Sequence, residues 1–248
     1  ACQETSFKLL LGDELADMVF TDPPYNVNYG DTLKDTLRHK SGKRRILNDN
    51  LGETFGTFLQ TCCGHITQFT KGACYICMGA SELHTLHKAF CDAGGHWSTF
   101  IVWAKNTFAL GRADYQRQYE PILYGWPKGH DHFWCGARNQ GDVWFVDKPS
   151  KNTFHPTMKP VALCERAIQN SSKTKDIVLD CFAGSGSTLM ACEKINRRAR
   201  LMELEPGYVD VIIKRWQAYT GKQAIDEKTG SSYDDLLAHN ETSAFSDE

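Results

Sequence analysis

Apolar and polar positions follow one another along this chain in blocks that switch between two periods. Met18-Val19-Phe20 is a short apolar run stopped at once by Asp22-Pro23-Pro24, which reads as a buried strand over 14–21 closed by prolines. Phe55, Leu59, Cys62, Ile66 and Phe69 recur at helical spacing and predict a helix over 53–69. Further runs predict a strand at 73–79, a helix at 81–92, and strands at 97–104 and 118–126. Residues 126–153 carry no clear period but are rich in Trp, His, Lys, Arg, Asn and Gln. Pro160 suits the first turn of a helix running to about 169. Beyond it come a strand at 176–182, a Gly/Ser turn at 183–187, a helix at 187–195 and a strand at 200–204. Pro206 then opens a helix whose Val209, Ile212, Ile213 and Trp216 form one apolar face ahead of Gly221. Strands alternating with helices predict an α/β fold, a parallel sheet covered on both faces.

The 248 residues suit one large domain with a substantial core. With 41% hydrophobic and 23% charged residues, wholesale disorder and collagen-like structure are excluded. No apolar run reaches the roughly 18–20 residues of a membrane helix. Acidic residues interrupt the short apolar stretch near the N-terminus, so it is no secretory signal, and a soluble intracellular chain is expected. The formal net charge is −2, but residues 225–248 hold seven acids and one base, leaving 1–224 at +4. That asymmetry permits a polyanionic partner. Lys34, Arg38, Lys40, Lys43, Arg44 and Arg45 make 28–50 a basic loop, and the acidic 225–248, with Gly230-Ser231-Ser232, reads as a loosely ordered tail. Most of the ten cysteines lie in apolar segments. Cys74 and Cys77 fall three apart on a strand, so their thiols face opposite ways, and no metal site is expected.

Two segments carry chemistry. Asp180-Cys-Phe-Ala-Gly184-Ser-Gly186 joins a strand to a helix, where glycines allow a tight turn and close approach of a ligand to the backbone. Glu203, at the end of the next strand, can take the hydroxyls of a ribose. An adenosine-containing ligand follows, or else a turn that serves packing alone. A dinucleotide fingerprint needs a third glycine where Leu189 stands, and the Gly-Lys-Ser/Thr of a P-loop is absent. Asp22-Pro23-Pro24-Tyr25 follows a buried strand directly. Two prolines remove two N–H donors, Asp22 adds a carboxylate acceptor and Tyr25 an aromatic face. An exocyclic amino group on a planar base matches such a site; a rigid turn at a strand end is the plainer reading.

Val19-Phe-Thr-Asp-Pro-Pro-Tyr25 together with Asp180-x-Phe-x-Gly-Ser-Gly186 resembles the beta class of S-adenosylmethionine-dependent DNA amino-methyltransferases, in which the catalytic motif precedes the glycine motif. His155-Pro-Thr-Met-Lys-Pro160, Tyr119-Glu-Pro-Ile122 and Leu201–Tyr208 also fit, so the resemblance covers about 15–224. Asp at the first motif position resembles the N6-adenine members, where Ser is usual among N4-cytosine ones. The resemblance implies a Rossmann-like methyltransferase fold with a mixed, mostly parallel seven-stranded sheet. It implies one domain over 1–224: a catalytic half at 15–125, a small target-recognition region at 126–153 and a cofactor half at 154–224.

By position, Asp22, Pro23, Pro24 and Tyr25 would form the active site. Asp180, Phe182, Gly184 and Gly186 would shape the cofactor loop, and Glu203 would hold the ribose. Thr157 and Lys159 would meet the methionine carboxylate, with Asp22 near the amino end. Lys128 and Arg138 in the recognition region, and the basic 34–45 loop, would contact DNA. The implied reaction is direct methyl transfer to a flipped adenine, leaving S-adenosylhomocysteine, with no cysteine nucleophile and no metal. Double-stranded DNA is the implied partner; the resemblance also allows a homodimer, a restriction-enzyme counterpart and a bacterial or phage cytoplasm. The chain begins close to the first motif strand, so a piece of a longer protein is expected. An N4-cytosine or RNA amino-methyltransferase, and a non-catalytic nucleic-acid-binding subunit, are the rival readings.

Overall fold

A computed structural model describes residues 1–27, 49–108, 110, 114–136, 138–147 and 158–244. Strand β1 (Ala16–Thr21) is buried on both faces: Met18 and Phe20 enter one core and Val19 the other. Such a strand must lie inside a sheet with layers on either side. Around it the described residues form α1 (Glu4–Leu11), α2 (Phe55–Phe69), β2 (Thr70–Cys77), α3 (Leu83–Asp92), β3 (Gly95–Ala104) and β4 (Tyr119–Pro127). They continue with β5 (Val143–Phe145), α4 (Val161–Ser171), β6 (Ile177–Asp180), α5 (Ser187–Lys194), β7 (Arg198–Leu201), α6 (Pro206–Thr220) and α7 (Tyr233–Ala244).

The seven strands stand in the order β5-β3-β4-β2-β1-β6-β7. β1 pairs in parallel with β2 and β6, β6 with β7, and β3 with β5; only β4 runs against its neighbours, β2 and β3. Phe7, Leu59 and Leu86 of the first three helices pack on Val19, Cys74 and Ile76. Leu163, Ile168 and Ala191 of α4 and α5 pack with Met18, Phe20 and Cys77 on the other face. The expected mixed, mostly parallel sheet with two helical layers is therefore present. Each fully buried large side chain contributes about 1.5–3 kcal/mol. Cys74 and Cys77 sit in opposite cores, as their spacing on a strand demands.

The order of strands positions the site. β1 has β2 on one side and β6 on the other, so the connections depart in opposite directions beyond its carboxyl end. That switch leaves a crevice at the carboxyl edge of an open α/β sheet. Asp22 follows β1 directly and Cys181 follows β6, so the proline motif and the glycine loop meet there.

Four elements differ from the sequence reading; one is β5, three residues inside the aperiodic 126–153 and too short to show a period. α1 was not foreseen: it buries only Phe7 and Leu11, too few positions to reveal a period, although Phe7 stacks on Phe69 at 5.2 Å. β7 starts at Arg198 and ends at Leu201, which leaves Glu203 in the loop after the strand. The supposed loose tail is ordered through α7: Tyr233 is buried, its hydroxyl donates to Asp210 at 2.8 Å and its amide to the Ala224 carbonyl at 2.8 Å. Low apolar content hid this helix, because a single aromatic anchor fastens its start. No described helix is long and apolar enough to cross a membrane.

Candidate active site

A cleft of about 1480 Å³ opens along the carboxyl edge of β1, β6 and β7, lined by Asp22, Tyr25, Glu120, Lys159, Gly184 and Glu203 among others. Pockets for one drug-sized ligand measure about 300–1,000 Å³, so this cleft is larger than one such ligand needs.

One half of the cleft is charged. Asp22 Oδ2 accepts from Lys159 Nζ at 2.5 Å, and Asp22 Oδ1 accepts from the Tyr25 hydroxyl at 2.6 Å. Lys159 also lies 3.1 Å from Glu120 Oε2 and donates to Tyr25 Oη at 3.1 Å. The other Glu120 oxygen pairs with Lys105. Burial pushes the Asp22 carboxyl above its ordinary range; Lys159 opposes that rise without cancelling it, and Glu120 adds to it. Burial alone would raise Glu120 too, but the two ammoniums outweigh it and hold the carboxyl at about 2. For Lys159, burial disfavours the charge, yet the Asp22 and Glu120 carboxylates prevail and keep it protonated. Burial, then the same two carboxylates, hold the Tyr25 phenol neutral, a donor at any working pH.

Tyr25 itself is fixed from behind. Its amide donates to Asp49 Oδ1 at 2.9 Å. Asn26, left-handed at φ 59°, accepts from the amides of Leu51 and Gly52, each at 2.9 Å.

The other half is built from neutral hydrogen bonds. Asp180 accepts from Thr21 Oγ1 at 2.8 Å, Thr188 Oγ1 at 2.6 Å and the Phe182 amide at 3.1 Å. With no ammonium beside it, burial pushes its carboxyl up to about 6. Gly184 adopts φ 53°, which a side chain would resist, and its amide donates to Glu203 Oε2 at 2.7 Å. Glu203 Oε1 takes the amides of Leu204 and Glu205 at 2.9 and 3.0 Å. A carboxylate has about four acceptor positions, so one remains on Oε2.

The proline motif, the loop after β6 and the acid after β7 thus border one cleft of a methyltransferase-like sheet. A DNA methylase family model matches residues 16–215. The chain belongs to this N6/N4 DNA methylase family. It is 29% identical over 253 residues to the type II methyltransferase M.HpaI of Haemophilus parainfluenzae, covering 91% of this chain and 76% of that one. The M1.HpyAVI complex with SAM shares the fold at TM-score 0.63 and 23% identity, over 85% of this chain and 96% of that one. The PvuII DNA methyltransferase, cytosine-N4-specific, does so at TM-score 0.64 and 16% identity, over 85% and 83%.

In this methylase the expected residues separate into three groups. Asp22, Pro23, Pro24, Tyr25, Lys159, Asp180, Phe182, Gly184 and Glu203 all line the cleft. Three of them are already engaged within the protein. Lys159 directs its protons at Asp22, Glu120 and Tyr25. Asp180 is consumed in clasping β1 to the loop and to α5. Glu203 spends three of its about four acceptor positions on backbone amides.

Gly186, at φ 78°, does not line the cleft; a Cβ there would lie 3.1 Å from Ile212 of α6. Lys128 follows the end of the reversed β4, eight residues and about 26 Å along the strand from Glu120 at the cleft. Arg138 lies near Gln140, which pairs with Asn170 at the far end of α4. These two bases are therefore placed away from the cleft. Lys34, Arg38, Lys40, Lys43, Arg44, Arg45 and Thr157 lie outside the described residues.

Sequence reasoning missed Glu120, Lys105, Asn26 and Asp49. Glu120 stood in the sequence only as part of the Tyr119-Glu-Pro-Ile122 element, with no role of its own.

Proposed function

We propose that the chain transfers a methyl group from S-adenosylmethionine to the N6 amino group of adenine in double-stranded DNA. One observation carries this reading: the acceptor motif Asp22–Tyr25 and the Gly184 loop open into the same cleft, which has room for a base beside an adenosyl ligand. The residues fit that cofactor. Gly184 admits close approach to the backbone, and Glu203 keeps one acceptor position for a ribose hydroxyl. Phe182, packed on Phe58 at 6.0 Å, gives an apolar wall, and the Asp22 carboxylate complements a positively charged methionine end. The SAM-bound M1.HpyAVI neighbour supports the same choice. Asp at position 22, where N4-cytosine relatives usually carry Ser, supports adenine.

When bound, S-adenosylmethionine supplies a sulfonium methyl: the amine lone pair forms the N–C bond while the S–C pair departs with sulfur as S-adenosylhomocysteine. Asp22 does the work on the base. The adenine amino nitrogen shares its lone pair with the ring and is a poor nucleophile. Each Asp22 oxygen holds one hydrogen bond and keeps a second acceptor position. Accepting an amino N–H there makes the nitrogen more tetrahedral and richer in electrons. As the nitrogen gains its fourth bond it must shed a proton, and Asp22 is the nearest base. Fixed placement of base and acceptor supplies much of the acceleration. The target base must leave the helical stack to reach this depth. Residues 15–125 supply the acceptors and 154–224 the cofactor wall.

The test is transfer of labelled methyl from S-adenosylmethionine to unmethylated duplex DNA, followed by nucleoside mass spectrometry. N6-methyladenine is the expected product. N4-methylcytosine would overturn the base while keeping the chemistry. No product, with cofactor still bound, would point to RNA or to a non-catalytic subunit.

A further inference from the structure

Four charged side chains alternate in sign, the first three lining the cleft: Asp22, Lys159, Glu120 and Lys105. They come from four separate segments, and Lys159 is the most buried, at 8% exposure. Its ammonium has three protons and three acceptors, Asp22 Oδ2, Glu120 Oε2 and Tyr25 Oη. Lys105 grips the opposite oxygen of Glu120, so Glu120 is held from both sides.

This arrangement resolves a conflict. Methyl transfer builds positive charge on the amino nitrogen that Asp22 accepts from. An ammonium 2.5 Å from Asp22 opposes that charge and weakens the acceptor. We infer that Glu120 is a positioning residue for methyl transfer: it anchors Lys159 by a second ion pair and offsets its charge, keeping Asp22 an effective acceptor. The inference rests on the methyl-transfer reading above. Lys105 then balances Glu120, and the set of four sums to zero.

The charge count separates this role from plain support. Glu120→Gln keeps the shape but leaves two ammoniums against Asp22 alone. Adding Lys105→Met restores the balance, though it removes a further contact. A merely structural role makes the double variant worse than the single one; the electrostatic role makes it better.

The experiment is steady-state methylation of duplex DNA by the full chain across pH, for wild type, Asp22→Asn, Glu120→Gln, Glu120→Asp and the double variant. Unfolding of each is followed by circular dichroism. For Glu120→Gln the turnover number is expected to fall roughly 10- to 100-fold with the cofactor KM little changed. Glu120→Asp and the double variant are expected to recover part of the loss. Glu120 raises the Asp22 carboxyl, so removing its charge lets Asp22 ionise at lower pH. The acidic limb of the turnover profile should therefore move down in Glu120→Gln. Wild-type turnover in Glu120→Gln would overturn the inference, as would a slower double variant with an unmoved limb. Should Glu120→Gln fail to fold, the double variant decides the matter against wild type: it too lacks the Glu120 charge, and Lys105 meets only the far oxygen of Glu120, so the acidic limb should still move down in part and a wild-type limb would overturn the inference. If wild type yields no methylated base, the function fails and this role with it. If wild type is active and Asp22→Asn is not, only the role of Glu120 is at stake.

Discussion

Glu120, partly buried, and Asp180, buried, are carboxylates on the same cleft, yet they are pulled in opposite directions. Glu120, between Lys159 and Lys105, is held down at about 2. Asp180, held by two hydroxyls and an amide, is pushed up to about 6. Burial acts upward on both; what differs is whether a cation stands beside the group. The catalytic half of the cleft is an ion-pair chain drawn from distant segments, and the glycine half is a clasp of neutral donors. Charge can be redistributed in the first half when a substrate arrives. The second half fixes a shape.

The deepest cut into the catalytic half is Asp22→Ala. Methyl transfer should fall about 10³-fold or more, on the scale of losing a group that acts on transition-state charge. Lys159 keeps Glu120 as a partner, so circular dichroism and the unfolding midpoint should hold. Activity within tenfold of wild type would remove Asp22 from the chemistry.

Next in size is the pH dependence of stability, which sharpens the contrast between the two carboxylates. The Glu120 carboxyl is lowered on folding, so its contribution is full above about 4.5 and is lost as pH falls toward 2. The Asp180 carboxyl is raised, so its contribution is full below 3.8 and is lost as pH rises through about 6. Each change is on the order of 3 kcal/mol across its window. Denaturant titrations at a series of pH values should show Glu120→Gln flattening the acid-side loss and Asp180→Asn flattening the decline toward neutrality. The same slope for both variants would dissolve the contrast.

Smaller effects belong to the glycine half. Glu203→Ala should weaken cofactor binding roughly tenfold, about 1.4 kcal/mol, by calorimetry; unchanged affinity would take the ribose away from it. Gly186→Ala should cost about 1 kcal/mol in unfolding free energy, from its positive φ and from crowding against Ile212. A more stable variant would show that the turn is not strained by a side chain.

The same contrast governs what could be read from sequence. Asp22–Tyr25 and Asp180–Gly186 are contiguous, so their chemistry is visible in a line of text. Glu120, Lys105 and Lys159 are joined only by folding, and no period links them. The helices at 53–69 and 187–195 were legible because their buried faces repeat; α1 and α7 rest on one or two anchors and were not. The charges of Lys128 and Arg138 say nothing about which edge of the sheet their loop occupies. That edge is decided by the reversal of β4, which brings its first residue, Tyr119, and Glu120 to the cleft and carries its end away.

The pairing of β1 with β6 also has a temporal side. Thr21 and Cys181, bonded at 3.1 Å, are 160 residues apart. At roughly 5–20 residues per second a ribosome needs about 8–30 s to deliver the second after the first. Throughout that interval Met18, Val19 and Phe20 belong to a strand with one open edge. Long-range pairing of this kind slows folding and exposes a nascent chain to aggregation. The centre of the sheet, the most protected place in the finished protein, is thus its most vulnerable place during synthesis.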